Sequence, residues 1–275
     1  MKRLFPNTES KAAFTLLELL VAAAVFSILA VILLGVTSQT ASIWEKAQAQ
    51  KNRQQIARIA LEAITRDLEA AALPLGTSQT NTLSFLVNPA GVDAGFLSPQ
   101  AAFWQVRSGQ SSYGFLDVGY FVRWTGAVPE LCRLQIPATD NESIFRDSNH
   151  SPLSGTNRTV NSALLERLAP GTSAGNDDIK GLMSKNVIGL WFVLWNSVGV
   201  KIEPPYDSTT KTARPAFVDV SVAVIDQATA AKLTDAAQVT SHYAVGPDRF
   251  AGSLPASIRP GVQVFTKRVP IHGSF

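Results

Sequence analysis

The sequence has few of the residues on which most metal sites and many enzymes depend. Its 275 residues include one cysteine, Cys132, and three histidines. A single cysteine excludes an intrachain disulfide, and an alternating run around Cys132 predicts a small buried side chain. His150, His242 and His272 do not show the spacing of a zinc site. There is no Walker A loop and no G-x-G-x-x-G fingerprint. We therefore expect neither a cofactor nor a metal.

Charged residues are also scarce, at 16% of the chain with a formal net charge of +3. Much of that excess lies in the first thirteen residues, which contain Lys2, Arg3 and Lys11 against Glu9. The rest of the chain is close to neutral. Nucleic-acid binding normally requires a basic patch or stripe. We therefore expect no nucleic-acid partner.

What the sequence does contain is one long apolar segment, from Phe14 to Val36. About 20 apolar residues suffice for a helix to cross about 30 Å of hydrocarbon. The segment includes a single carboxylate, Glu18, which costs about 3 kcal/mol near the bilayer centre, less than the apolar side chains contribute. Because the segment has no Lys, Arg or His, Glu18 requires a partner from outside this helix.

The basic leader before this segment differs from an ordinary secretory signal. Such a signal has an apolar core of roughly 7 to 15 residues, followed by small residues at its cleavage site. Here the small residues Ala12 and Ala13 come before the apolar segment. Cleavage at that point would remove residues 1–13 and leave the apolar helix attached to the mature protein.

The segment A-A-F-T-L-L-E-L-L-V resembles the prepilin-type cleavage and methylation motif of type IV pilins and type II secretion pseudopilins. The resemblance implies that a prepilin peptidase cuts between Ala13 and Phe14 and methylates the new amino group. It implies that Glu18 guides assembly by pairing with the amine of a neighbouring subunit. The family usually has Gly before the cut, where this chain has Ala13, which is small enough to be tolerated.

The same resemblance implies a location and a set of partners. A protein of this kind crosses the inner (cytoplasmic) membrane once, contacts its lipids and carries its C-terminal head in the periplasm. Its other partners are the peptidase and the pilin-like subunits of the same periplasmic or extracellular filament.

Helical periodicity continues after Val36 without a stop signal before Pro74. Apolar residues recur every three or four positions and predict a stripe that docks on a sheet, at Ile43, Ala47, Ile56, Ala60, Ala63, Ile64, Leu68 and Ala71. Charged residues are predicted on the opposite face, at Lys51, Arg53, Arg58, Glu62, Arg66 and Glu69. Trp44 has two open interpretations, an anchor at the membrane–water boundary or a core contact.

The remainder of the chain is typical of short strands between turn residues. Strands are predicted at 82–87, 101–106, 118–124, 131–136, 187–195, 217–225 and 262–269, with 187–195 central and 217–225 wet on one face. Small helices are predicted at 162–168 and 227–237. The fold class is α+β, a long N-terminal α-helix packed on an antiparallel β-rich globular head. Its segments are a leader (1–13), a transmembrane and filament-core helix (14–36), an amphipathic helix (37–73) and the head (74–275).

Several short head segments sharpen the resemblance. Gly119–Val122, the loop Pro205–Ser208, Val218–Asp226 and the ending Phe265–Ile271 resemble the pilin-like family called Verru_Chthon cassette protein C. The chain is also similar to the large minor subunits of the J and W kinds. These resemblances imply a minor pilin or pseudopilin of a type IV pilus or type II secretion-like filament, and no catalytic residue.

Two alternatives remain open: a signal-anchored periplasmic adhesin or binding module that does not polymerise, and an anchored envelope hydrolase. Gly171–Gly175 matches G-x-S-x-G with Ser173 as its nucleophile, but a nucleophile elbow follows a strand and opens a helix, whereas loop residues flank this match. Asp177 and Asp178 are either a solvated pair or calcium ligands. We expect a structural subunit and not an enzyme.

Overall fold

The computed structural model describes residues 15–72, 84–88, 101–107, 114–137, 180–208 and 211–271. It confirms the predicted class, a long N-terminal helix followed by antiparallel sheets. By compactness the chain forms two units, residues 1–49 and residues 50–275. The segment boundaries at 13, 36 and 73 remain predictions.

Helix α1 spans Leu16–Glu69. Thr15 caps its start, because the backbone N–H of Glu18 donates to Thr15 Oγ1 at 3.3 Å. The sequence predicted helix as far as Leu73, but α1 ends at Glu69. Beyond it, Ala71 forms an isolated bridge with Val106, and the N–H of Ala72 donates to a strand carbonyl, Gln105 O, at 2.7 Å. Sheet-type hydrogen bonds thus replace helical ones at this end.

Ten strands follow α1 in the described part of the chain: β1 Phe85–Val87, β2 Ala102–Arg107, β3 Phe115–Thr125, β4 Val128–Pro137, β5 Lys180–Lys185, β6 Val187–Trp195, β7 Lys201–Ile202, β8 Tyr206–Asp207, β9 Phe217–Ile225 and β10 Val262–Pro270. They form a six-stranded sheet in the order β5-β4-β3-β2-β1-β8 and a four-stranded sheet in the order β10-β9-β6-β7. Each described strand pair is antiparallel.

Every predicted strand has a counterpart, and β6 is central as predicted. The predicted helix 227–237 is wrong. It is split into the helical turns Gln227–Ala230 and Ala237–Thr240, because the N–H groups of Lys232 and Leu233 reach back only three residues, to Thr229 O and Ala230 O. The predicted helix 162–168 lies outside the described residues.

The main core lies where α1 and the two sheets meet. Ala60, Ile64 and Leu68 of α1 are almost completely buried, which confirms the stripe in the second half of its predicted length. Ala57, which was not predicted, is buried beside them. The beginning of the predicted stripe was wrong, because Ile43 and Ala47 are exposed. The two sheets meet through aromatic rings, with Trp104 of β2 edge-on to Phe192 of β6 at 6.3 Å between ring centroids.

Strand β9 was predicted to have one solvent-exposed face, and only the first residues of the strand show this exposure. Asp219 is partly exposed, but Ser221, on the same face, is completely buried. Its cross-strand neighbour Trp191 packs edge-on against Tyr243 and Phe250 of the C-terminal segment, with centroids 5.9 and 4.8 Å apart. That segment therefore covers the outer face of the four-stranded sheet at this point. Cys132 is buried, as predicted.

Candidate functional site

The first half of α1 exposes an apolar surface that the described residues do not cover. Fourteen large apolar side chains between Leu16 and Val36 are 51–83% exposed. Burial of each would contribute about 1.5 to 3 kcal/mol, so this surface favours association with lipid or with another protein. By length and composition, α1 is the one helix among the described residues that could cross a membrane.

Glu18 lies on this apolar surface, in the first turn of α1. Its carboxylate forms no ion pair with any described residue, and it is exposed. The next basic residue after it is Lys46, about 42 Å farther along the helix at about 1.5 Å per residue. Along the described part of α1 itself, Glu18 therefore has no cation within reach. The other two predicted site residues, Ala13 and Phe14, lie outside those ranges.

A buried polar cluster joins α1 to the six-stranded sheet, and the sequence analysis missed it. Asp67 Oδ2 accepts hydrogen bonds from Tyr120 OH at 2.6 Å and from Arg133 Nε at 2.8 Å. Trp104 Nε1 donates to the backbone oxygen of Asp67 at 2.9 Å. We call Asp67, Tyr120 and Arg133 the Asp67 cluster. The available signal was that Asp67 lies between Ile64 and Leu68 on the docked side of the helix.

The electrostatics of the Asp67 cluster fix its protonation. Burial, reinforced by the Asp67 carboxylate, raises the pKa of the Tyr120 hydroxyl far above its usual range. Burial alone would lower the pKa of Arg133, but the hydrogen bonds and electrostatic interactions with Asp67 and Tyr120 together outweigh burial and leave the pKa raised. The phenol therefore keeps its proton and the guanidinium its charge at neutral pH. Because Asp67 Oδ2 accepts from both Tyr120 and Arg133, the cluster acts as a structural clamp that holds α1 to the six-stranded sheet.

We expect the head to lose stability above about pH 10, where tyrosine ionises in an unfolded chain. Burial raises the pKa of Tyr206 as well as that of Tyr120, so unfolding releases protons that the folded state retains. This stability is complete below the unfolded pKa and is lost as the pH rises above it, by about 1.4 kcal/mol per pH unit for each tyrosine.

Denaturant unfolding between about pH 9 and 11 measures this loss. Tyr206→Phe removes one titrating hydroxyl and should give a shallower alkaline slope than the unsubstituted protein. Identical slopes would contradict the assignment.

A second ion pair, between Arg53 and Asp226, lies at the other end of the docked part of α1 and shows that the predicted position of Arg53 was wrong. Arg53 was placed on the solvent face, but its side chain is mostly buried, and its Nη1 lies 2.9 Å from Asp226 Oδ2. Asp226 Oδ1 also accepts the N–H of Thr229 at 2.7 Å and so caps a helical turn. A side chain at Gly261 would overlap both Thr229 Oγ1 and Asp226 Oδ2. Glycine is therefore needed for this close approach.

The remaining sequence candidates form no site in the part of the chain that the structure describes. His242 is half-buried, and no three His, Cys, Asp or Glu side chains come together there as a possible metal site. His150, His272, Ser173, Asp177 and Asp178 lie outside the described residues.

Comparison with known proteins supports the interpretation of the N-terminal segment. Residues 10–34 match the family model described as the prokaryotic N-terminal methylation motif. No curated protein matches the sequence significantly, and the resemblance of the head to cassette protein C remains a prediction. The matched range contains the Ala13–Phe14 junction, Glu18 and most of the exposed apolar helix. The chain therefore carries a prepilin-type N-terminal methylation segment, and in this segment it is similar to type IV pilin-like proteins.

Proposed function

We propose that the protein is a minor pilin or pseudopilin, a structural subunit processed by prepilin peptidase and assembled through the first half of α1. The observation that carries the proposal is the exposed apolar helix surface with Glu18 on it and no cation near it, inside the matched methylation motif. An exposed apolar surface of this size indicates burial by lipid or by another protein, and a carboxylate within it requires a positively charged partner.

Processing supplies that counter-charge. Cleavage after Ala13 creates an amino group on Phe14, close to the position of Glu18. When helices of neighbouring subunits pack side by side, the amine of one subunit pairs with Glu18 of the next. Two charges at contact distance attract each other far more strongly in a low dielectric than in water, so the pair sets the register of the packed helices.

Membrane insertion precedes assembly in this proposal. The segment Leu16–Val36 is about 30 Å long and matches the hydrocarbon core of a bilayer. The basic leader favours a cytoplasmic start, so α1 crosses the inner membrane once and the head lies in the periplasm. Peptidase, membrane lipid and other pilin-like subunits are the partners that this route requires.

The direct test is the mature amino terminus. In cells with an active prepilin peptidase, intact-mass and terminal-peptide analysis should show a chain that begins with N-methylated Phe14. Ala13→Asp places a charged side chain at the cleavage point and should leave residues 1–13 attached, as should a strain without the peptidase. A retained leader in the unsubstituted protein would overturn the proposal and favour an anchored module that does not polymerise.

Removal of residues 1–42 should give a soluble, monomeric head. The compact unit 50–275 keeps the docked residues of α1 while the exposed apolar half is gone. We expect one species by light scattering and a single cooperative thermal transition by circular dichroism.

Removal of residues 1–13 alone is the matched control, and this chain should associate or precipitate without detergent. An insoluble or non-cooperative product from the longer deletion would contradict a separately folded head.

A further inference from the structure

The uncharged surface of α1 extends well beyond the apolar segment. After Glu18 the first charged residues are Glu45 and Lys46, so the uncharged run from Leu19 to Trp44 is about 39 Å long at about 1.5 Å per residue. A bilayer is about 30 Å thick across its hydrocarbon and about 40 to 45 Å thick with its headgroup layers. Because the segment Leu16–Val36 already matches the hydrocarbon core, the uncharged run continues about 12 Å past its far side, toward the headgroup layer.

Two large side chains stand at the end of this run. Ile43 and Trp44 are 66% and 69% exposed. Trp44 was predicted either to contact the core or to lie at a membrane boundary, and its exposure contradicts the core contact. Its Nε1–H donates to none of the described residues. The side chain thus combines an exposed apolar ring with an available donor, the combination that suits a membrane–water interface.

The hydroxyl side chains between Val36 and Ile43 are satisfied within the helix. The hydroxyl groups of Thr37, Ser38, Thr40 and Ser42 donate to backbone carbonyls three or four residues earlier, at 2.8–2.9 Å. Since a polar group resists burial mainly when it lacks a hydrogen bond, this part of α1 can enter the headgroup layer at low cost.

We propose that Trp44 anchors α1 in the headgroup layer of the membrane leaflet opposite the leader, with Ile43 buried beside it. The Cα atom of Trp44 lies about 12 Å beyond Val36 along the helix. Helical side chains point back toward the N-terminus, over the preceding turn. The indole therefore lies about 7 Å beyond the hydrocarbon, within a headgroup layer about 5 to 8 Å thick.

The inference rests on the proposed function, because it requires that α1 spans a membrane. It adds the depth of α1 in the bilayer, and it names Trp44 as a group that fixes this depth in addition to the apolar segment. The occupant is the phospholipid headgroup layer, because Trp44 continues the surface that the hydrocarbon covers and because charged residues begin immediately after it.

Depth-dependent quenching of tryptophan fluorescence tests the proposal. The full chain is reconstituted in phosphatidylglycerol–phosphatidylcholine vesicles whose lipids carry bromine either near the headgroup or near the chain end. Subtraction of the Trp44→Phe signal isolates Trp44 from the four head tryptophans. Two markers in the Trp44→Phe background calibrate depth: Leu34→Trp within the hydrocarbon and Lys51→Trp in water.

The Trp44 signal should be quenched most by lipids brominated near the headgroup, and less by acrylamide than the Lys51→Trp signal. Quenching by acrylamide as strong as at Lys51→Trp would overturn the anchor. Protection from both quenchers would also overturn it and would indicate cover by a neighbouring subunit. Release of the unsubstituted chain by alkaline carbonate would instead overturn the membrane-spanning proposal itself, and the anchor with it.

Discussion

Replacement of Glu18 by glutamine should leave membrane insertion intact and reduce incorporation into the filament by a factor of 100 or more. The amide avoids the cost of burying a charge, so the helix should insert at least as well. What is lost is the attraction to the ammonium of a neighbouring subunit. Removal of one partner of a buried pair costs about 3 to 5 kcal/mol, and each 1.4 kcal/mol is about tenfold in an equilibrium constant.

The measurement is the ratio of protein in the sheared filament fraction to protein in the membrane fraction. Glu45→Gln is the matched control, because it makes the same chemical change on the same helix beyond its uncharged run. This control should assemble normally. Equal incorporation of Glu18→Gln and Glu45→Gln would show that the Glu18 carboxylate does not guide docking.

The second large effect is expected at the Asp67 cluster. Asp67→Ala leaves Arg133 without its buried carboxylate and Tyr120 OH without its acceptor. Breaking a buried pair by removing one partner costs about 3 to 5 kcal/mol, which is a large part of the total stability of an ordinary domain. Chemical denaturation of the detergent-solubilised chain should show a clearly lower midpoint.

Arg58→Ala provides the comparison. It removes an ion pair on the same helix, Arg58 Nε to Glu62 Oε1 at 2.7 Å, but both side chains are exposed. Exposed pairs contribute little because water and salt screen them. A similar loss of stability in Asp67→Ala and Arg58→Ala would refute the clamp.

Features of the fold that depend on neighbours in sequence could be predicted. The apolar run of α1 is continuous, and strands β6 and β9 have the same bounds as predicted, because apolar and β-branched residues there follow one another directly. Strands β7 and β8 are only two residues long, too short for any pattern, and Lys180–Lys185 has no β-branched residue.

Features that depend on register could not be predicted. Asp67, Tyr120 and Arg133 are far apart in sequence, and only the pairing of Tyr120 with Arg133 across β3 and β4 brings the last two to one face. Arg53 was misplaced for the same reason, since its partner Asp226 lies 173 positions away. By contrast, Ala13, Phe14 and Glu18 belong to one short motif, so this candidate site could be proposed without knowledge of the fold.

The Arg53–Asp226 ion pair and the Asp67 cluster together affect how α1 resists a pulling force. Arg53 holds the helix to the end of the four-stranded sheet through Asp226, and Asp67 holds it to the six-stranded sheet about 21 Å farther along. A pull on α1 from its N-terminal side loads Arg53–Asp226 first and the Asp67 cluster next. Because Arg53 and Asp67 attach α1 to different sheets, separation of the helix from the head requires both attachments to break.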